Sequence, residues 1–276
     1  MVKAVVLFAG LAWVLVAADP REIVRKAVEQ DERATQLANS FAYQQRQEIR
    51  ELDHSGKLKS QRTVTWEVSP LEGSPYKRLV ARDDRPLSDA EQRIEEEKLQ
   101  QNRELRQHET PEQRERRIAE WRRRQERQRQ PLNELPDAFN FTLDGEEDWN
   151  GRPAYKIEAV PKPGYKPKSL FTEFFPKVKL RAWIDKTDLQ GARIEIEAMD
   201  TISFGSFLLR LDKGSQIVME QARMDDQLWL PRHVAITAAA HVLLLKSLNR
   251  EMDYRFTDYK KFNVNPRVVL VRAPEQ

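Results

Sequence analysis

The side chains able to do chemistry in this chain are few and scattered. It holds four histidines, at positions 54, 108, 233 and 241, and no cysteine. Without cysteine there is no thiolate nucleophile, no thiolate metal site and no disulfide framework. None of the histidines has a second one at metal-binding spacing. His54 belongs to a turn and His108 to a charged helix, which makes both surface residues. His233 and His241 share one face of one strand but lie too far apart along it to meet. Asp185 and Asp188 bracket a turn, yet the residues that follow do not continue a calcium loop. No Gly-x-Ser-x-Gly elbow, phosphate loop or dinucleotide fingerprint occurs. No nucleophile–base pair stands out either. The chain reads as a non-enzyme that calls for no cofactor and no metal.

Burial of an apolar ligand has a better case. Between 161 and 179, Leu170, Phe171, Phe174 and Phe175 fall on one face of a short helix, among Lys162, Lys166, Lys168 and Lys177. Such a helix either plugs the end of a core or forms a mobile lid over an apolar cavity, with lysines suited to anionic headgroups. The cavity wall then comes from the apolar faces of strands, at Trp66, Leu180, Ala182, Ile184, Ile194 and Ile196.

Those residues need a scaffold, and periodicity supplies one. Ile23, Val24, Ala27, Val28, Ala34 and Leu37 follow the helical period over 19–39. The period then changes to two. Strands are predicted over 41–52, 63–68 and 76–82, with turns at Asp53-His54-Ser55-Gly56 and Gly73-Ser74-Pro75. After 130 the two-residue period returns and stays, with strands over 139–143, 155–159, 180–184, 194–198, 203–211, 214–224, 233–245 and 249–262. Short strands with tight turns make an antiparallel meander. One apolar face per strand means that the sheet curls or is capped by helices. The fold class is therefore mainly β with helices (α+β): a large curved antiparallel sheet, or incomplete β-barrel, capped by helices.

The segment 88–130 is different material. Ser88 with Glu91 and Thr110 with Gln113 are capping boxes, and Pro111 stands at a first helical position. Two helices follow, 88–108 and 111–130, the first acidic and the second arginine-rich. Their opposite charges predict a solvated hairpin insert whose helices pair with each other.

Lys3, the apolar run 4–16 and the small residues Val16-Ala17-Ala18 ahead of Asp19 have the form of a secretory signal peptide. The expected organisation is a signal peptide over 1–18 and a single domain over 19–276, exported to the periplasm. The run is short for a spanning helix, which needs roughly 20 apolar residues. With Asp at 19 in place of cysteine, the mature chain is not lipid-anchored. The 47 Lys and Arg nearly balance 44 Asp and Glu, leaving +3, which does not point to nucleic acid.

Three phrases, in order along the chain, carry a resemblance. They are Asn150-Gly151-Arg152-Pro153-Ala154-Tyr155-Lys156-Ile157, then Ala182-Trp183-Ile184-Asp185-Lys186 leading into Ile194-Glu195-Ile196-Glu197, then Leu228-Trp229-Leu230-Pro231. They resemble successive strands of outer-membrane lipoprotein-sorting proteins, the LolA/LolB-like group of periplasmic carriers and lipoprotein-binding sensor domains. The resemblance covers 135–262 by motif and 19–83 by topology. It implies a strongly curved incomplete barrel whose concave apolar face, covered by helices, holds acyl chains. The insert at 88–130 departs from that pattern, and no motif carries over particular binding residues.

Two functions are compatible with these features. One is a soluble periplasmic carrier for lipid or lipoprotein acyl chains, with only transient membrane contact. The other is an envelope interaction or sensor module that docks a protein partner through 88–130. The export reading predicts Asp19 as the mature N-terminus. Terminal sequencing of the protein recovered from its own cell envelope checks it, and a membrane-bound form starting at Met1 would contradict it.

Overall fold

The computed structural model describes residues 18–204, 209–225, 228–242, 246–262 and 269–270. The signal-peptide reading therefore lies outside the described residues, apart from Ala18. So does the middle of the strand expected over 203–211 and the end of that over 233–245.

Helix α1 (Pro20–Ala38) starts where Asp19 accepts the amide of Arg21, with Pro20 at the first helical position. Strands β1 (Phe41–Leu52), β2 (Leu58–Leu71), β3 (Ser74–Arg82) and β4 (Arg85–Pro86) follow, then α2 (Asp89–Gln107) and α3 (Pro111–Ala138). Next come β5 (Phe139–Trp149), β6 (Arg152–Pro161), two 3-10 turns (Leu170–Thr172 and Phe175–Lys177), β7 (Val178–Asp185) and β8 (Gly191–Ala198). The rest is β9 (Ile202–Phe204), β10 (Leu209–Leu211), β11 (Gln216–Asp225), β12 (Leu228–Val242), β13 (Lys246–Lys261) and β14 (Val269–Leu270).

The main path runs β4-β3-β2-β1-β13-β12-β11-β8-β7-β6-β5, with every pairing antiparallel. The terminal strands β4 and β5 do not pair with each other, so the sheet is not closed into a barrel. A large antiparallel sheet capped by helices is the observed class.

Three details differ from the sequence reading. The strand expected over 203–211 is two short strands, β9 and β10, paired antiparallel with each other. The single helix expected over 170–175 is two 3-10 turns; Pro176, in the second, has no N–H to continue an α-helix. Helix α3 runs past 130 to Ala138 although Pro131 and Pro136 each remove a helical donor. Tertiary packing overrides the prolines there, because Ala138 is fully buried in a core cluster with Phe139 and Phe175.

The insert is also not a closed hairpin. Among the described residues no ion pair joins α2 to α3. Helix α2 instead lines the outer edge of β3, where Glu95 accepts the amide of Leu79 at 3.4 Å and Glu96 pairs with Arg78. Helix α3 docks on the body through its arginines. Arg117 binds Glu109 at 2.6 Å, the Ser74 hydroxyl at 2.7 Å and the Glu72 carbonyl at 2.9 Å. Arg129 reaches α1 through Asp31 at 2.6 Å and Thr35 at 2.8 Å. Gly73 has φ +88°, and a Cβ there would lie 2.8 Å from Ile118 of α3. Helix and β2–β3 turn thus approach as closely as glycine permits.

Docked and solvated arginines of α3 should therefore differ in weight. Arg117→Ala is expected to cost about 1–3 kcal/mol in urea unfolding, since it leaves partly buried acceptors unpaired. Arg124→Ala, on the exposed side, is expected to stay within about 0.5 kcal/mol. Equal effects would mean that α3 is not held by these contacts.

Candidate functional site

Because side chains alternate along each strand, register decides what shares a face. One rung runs Ile49–Met252–Ile236–Ile217–Ile196–Leu180–Ala159 across β1, β13, β12, β11, β8, β7 and β6. The next rung on the same face runs Val64–Gln47–Tyr254–Val234–Met219–Ile194–Ala182–Ile157. These rungs form an apolar floor on the side of the sheet that α1 covers. The intervening rungs, on the other side, are charged. There Arg181 pairs with Glu158 and Glu195, Arg193 with Glu195 and Glu220, and Asp253 with His233 and Arg255.

The floor is covered only in part. The first half of α1 buries Ile23, Val24 and Ala27 against Ile157 and Ile184. Its second half places Ala34 against Phe41, Leu230 and Tyr259. The 3-10 segment fills the β5–β8 end, with Phe175 buried among Phe139, Val178 and Ala198. Between these clusters, Ile194, Ile217, Met219, Val234, Ile236, Met252 and Tyr254 remain half-buried and belong to no core cluster. Beside them, a cleft of about 220 Å³ runs between α1 and the floor, bounded by Phe41, Tyr43, Val68, Trp229 and Leu230.

The residues singled out from sequence are placed as follows. Trp66, half-buried, lies on the floor opposite Gln45. Leu180 and Ile196 border the plugged end, Ala182 borders the α1 contact, and Ile194 stands in the half-buried stretch between them. Ile184 is buried beneath α1. Phe174 and Phe175 pack edge-to-face at 5.1 Å inside the plugged end, and Phe171 is exposed. The structure thus gathers most of these residues on one face while using Ile184 and Phe175 as core. Sequence reasoning missed Ile217, Met219, Val234, Ile236, Met252 and Tyr254. Their two-residue alternation was visible, but which rung each joins depends on pairing.

Two polar clusters hold the walls. Glu134 of α3 accepts from the Tyr165 hydroxyl at 2.5 Å and from the Lys168 amide, tying the plug to the helix. Burial and this carboxylate push the Tyr165 phenol up to about 12. Asp185, almost fully buried, takes Arg152 at 2.6 Å and the amides of Thr187 and Asp188. Burial alone would raise its pKa, and these partners reverse that, holding it below the usual carboxylate range. Its stabilisation is present above the unfolded pKa and is lost as pH falls through the folded one. The Asp185–Asp188 turn is a structural ion-pair knot, with Arg223 and Trp229 also on Asp188. Among the described residues, no three His, Asp or Glu side chains converge as metal ligands would.

No protein-family model and no curated protein sequence matches the chain. Among solved structures it is similar to a Vibrio parahaemolyticus domain assigned to outer membrane lipoprotein sorting. That match has 11% identity and TM-score 0.35, covering 88% of this chain and 95% of that one. It is also similar to a LolA superfamily protein from Nitrosomonas europaea (11% identity, TM-score 0.31, 91% and 96% covered). A DUF1329 family protein from Desulfovibrio piger is similar at 12% identity and TM-score 0.30, again with 91% and 96% covered. Likeness at such identity bears on the fold alone.

If the middle of the floor is not core, its side chains should be cheap to truncate. Leu230→Ala, at a fully buried site, is expected to cost about 2–5 kcal/mol. Met219→Ala is expected to cost less than about 1.5 kcal/mol, because little area is lost to water. Chemical denaturation compares the two, and a Met219 cost equal to that of Leu230 would place the floor inside a closed core.

Proposed function

We propose that the protein is a non-catalytic binding or carrier protein for the acyl chains of a lipid or lipoprotein, working in the cell envelope after export. The observation that carries this is the half-covered apolar stretch over β8, β11, β12 and β13, a trough outside the core clusters. Contiguous apolar surface left on a folded chain marks a place where something else binds. A hydrocarbon tail laid along it gains about 0.8 kcal/mol per methylene removed from water. The expected wall residues Trp66, Leu180, Ala182, Ile194 and Ile196 belong to this surface or its borders in that reading. Phe171, Phe174 and Phe175 close one end of it. Contact with a membrane is transient in this reading. Among the described residues no helix is long and apolar enough to cross one.

A second reading, a module that docks an envelope protein, is favoured by one feature. Arg116, Arg122, Arg123, Arg124 and Arg127 on the exposed side of α3 have no carboxylate partner among the described residues. The two readings are separable, because one needs the trough and the other needs only α3.

A fluorescent fatty-acid probe tests the first. The mature protein is expected to bind it saturably. Val234→Asp, which puts a carboxylate on the floor between Met219 and Tyr254, should weaken binding by at least about tenfold through the cost of a charge in an apolar site. Circular dichroism should stay native. Unchanged affinity in the folded variant would remove the trough as the binding surface.

A further inference from the structure

Lys77 of β3 stands opposite Val68 of β2, which stands opposite Tyr43 of β1, so it shares the floor's face. Its Nζ donates to Gln45 Oε1 of β1 at 2.9 Å. Gln45 is paired with Trp66, so the lysine stem crosses β2 over the apolar side chains of Val68 and Trp66. An ammonium has three donors. Here one is spent on a neutral amide, and among the described residues no carboxylate lies within ion-pair distance of it. On the charged face Lys156 is paired with Asp144 at 3.2 Å and Lys179 with Glu197 at 3.0 Å. Even on the trough side, Arg250 is matched by Glu51 at 2.7 Å. Lys77 is exposed, and the atoms crowded around its stem press its pKa below the ordinary lysine value. Next along β1, Gln47 donates to the Tyr254 hydroxyl at 3.3 Å. Lysine, two glutamines and tyrosine thus form a polar strip where the hydrocarbon floor of β8, β11 and β12 ends.

We propose that Lys77 anchors the anionic headgroup of the trough's ligand, with Gln45 beside it, so that the ligand class is an acyl or alkyl chain ending in a carboxylate or phosphate. This rests on the acyl-binding reading above and adds the headgroup to it. The tail lies over Val234, Met219, Ile236 and Ile217, and the head meets the ammonium at β3. From β3 to β8 there are six strand spacings, roughly 29 Å along the arc at about 4.8 Å each. That accommodates a head and an extended tail. The anion replaces the amide as the partner of the ammonium, and a bond between two charged groups is stronger than one to a neutral amide.

The experiment compares ligands with one tail and different heads on the mature protein. Calorimetric or probe-displacement titrations use palmitate, hexadecyl phosphate and methyl palmitate, on wild type, Lys77→Met and Lys77→Arg. In the wild type at least one of the two anions should bind about tenfold more tightly than the ester, about 1.4 kcal/mol, and the tighter one names the head. Lys77→Met should bring that anion to the ester's affinity and leave the ester unchanged, and Lys77→Arg should keep most of the preference. Equal binding of anions and ester by the wild type, or a preference that survives Lys77→Met, overturns the proposal while the acyl-binding reading stands. Failure of all three ligands to bind the wild type overturns both.

Discussion

A strand slipped by one residue in this sheet would carry its own apolar side chains to the opposite face and bring its charged ones onto the floor. Register is therefore the constraint on which the rest depends, and the charged face is built to hold it. Arg193 takes Glu195 on its own strand and Glu220 on the next, and its guanidinium lies 5.0 Å from the Trp149 ring and 5.7 Å from that of Trp183. His233 and Asp253 meet at 2.6 Å across β12 and β13. Half-exposed pairs of this kind add little to stability one at a time. Their use is discrimination, since a slipped strand would set like charges side by side or leave them facing apolar groups.

With register fixed from the charged side, the apolar side need not be packed throughout. Stability is concentrated in separate clusters, under the two halves of α1 and under the 3-10 segment, with half-covered floor between them. A single closed core would have consumed the surface on which the functional reading rests. Helix α1 joins two of these clusters, and α3 braces it through Arg129 and Asp31. The prolines of α3 are tolerated for the same reason: its end is held by Glu134 and Ala138 in the plug and not by helical hydrogen bonds alone.

Much of this was legible in the residues. The change of period from 3.6 to 2 marked α1 and the meander, and the alternation of Arg193, Ile194, Glu195 and Ile196 announced a two-faced strand. Helix starts at Ser88 and Thr110 followed from their capping boxes, both of which the structure contains. What could not be read was pairing between distant segments. Nothing local says that β1 lies beside β13, so the rungs through Met252 and Tyr254 had no sequence signature. The partition of α2 and α3 was misjudged because net charge does not reveal which carboxylate an arginine finds: Arg117 meets Glu109 in the connection between the helices, and Arg129 meets Asp31 of α1. Lys77 carried no signal at all, since a lysine in a strand near the sheet's end is ordinary until its neighbours are known.

The two ends of the sheet also limit how copies of this chain can meet. An open strand edge invites a second chain to add to it, and proteins blunt such edges with charge, bulges or a covering element. Here α2 occupies one edge, with Glu95 on the Leu79 amide. The other edge is β5, where the register shifts between Leu143 and Glu146 and where Asp144, Glu146, Glu147 and Asp148 cluster around Gly145 at φ +102°. A second β5 brought alongside would meet its own acidic row across a kinked ladder. A sheet with a half-covered apolar face thereby keeps its backbone from becoming a template for stacking into fibrils.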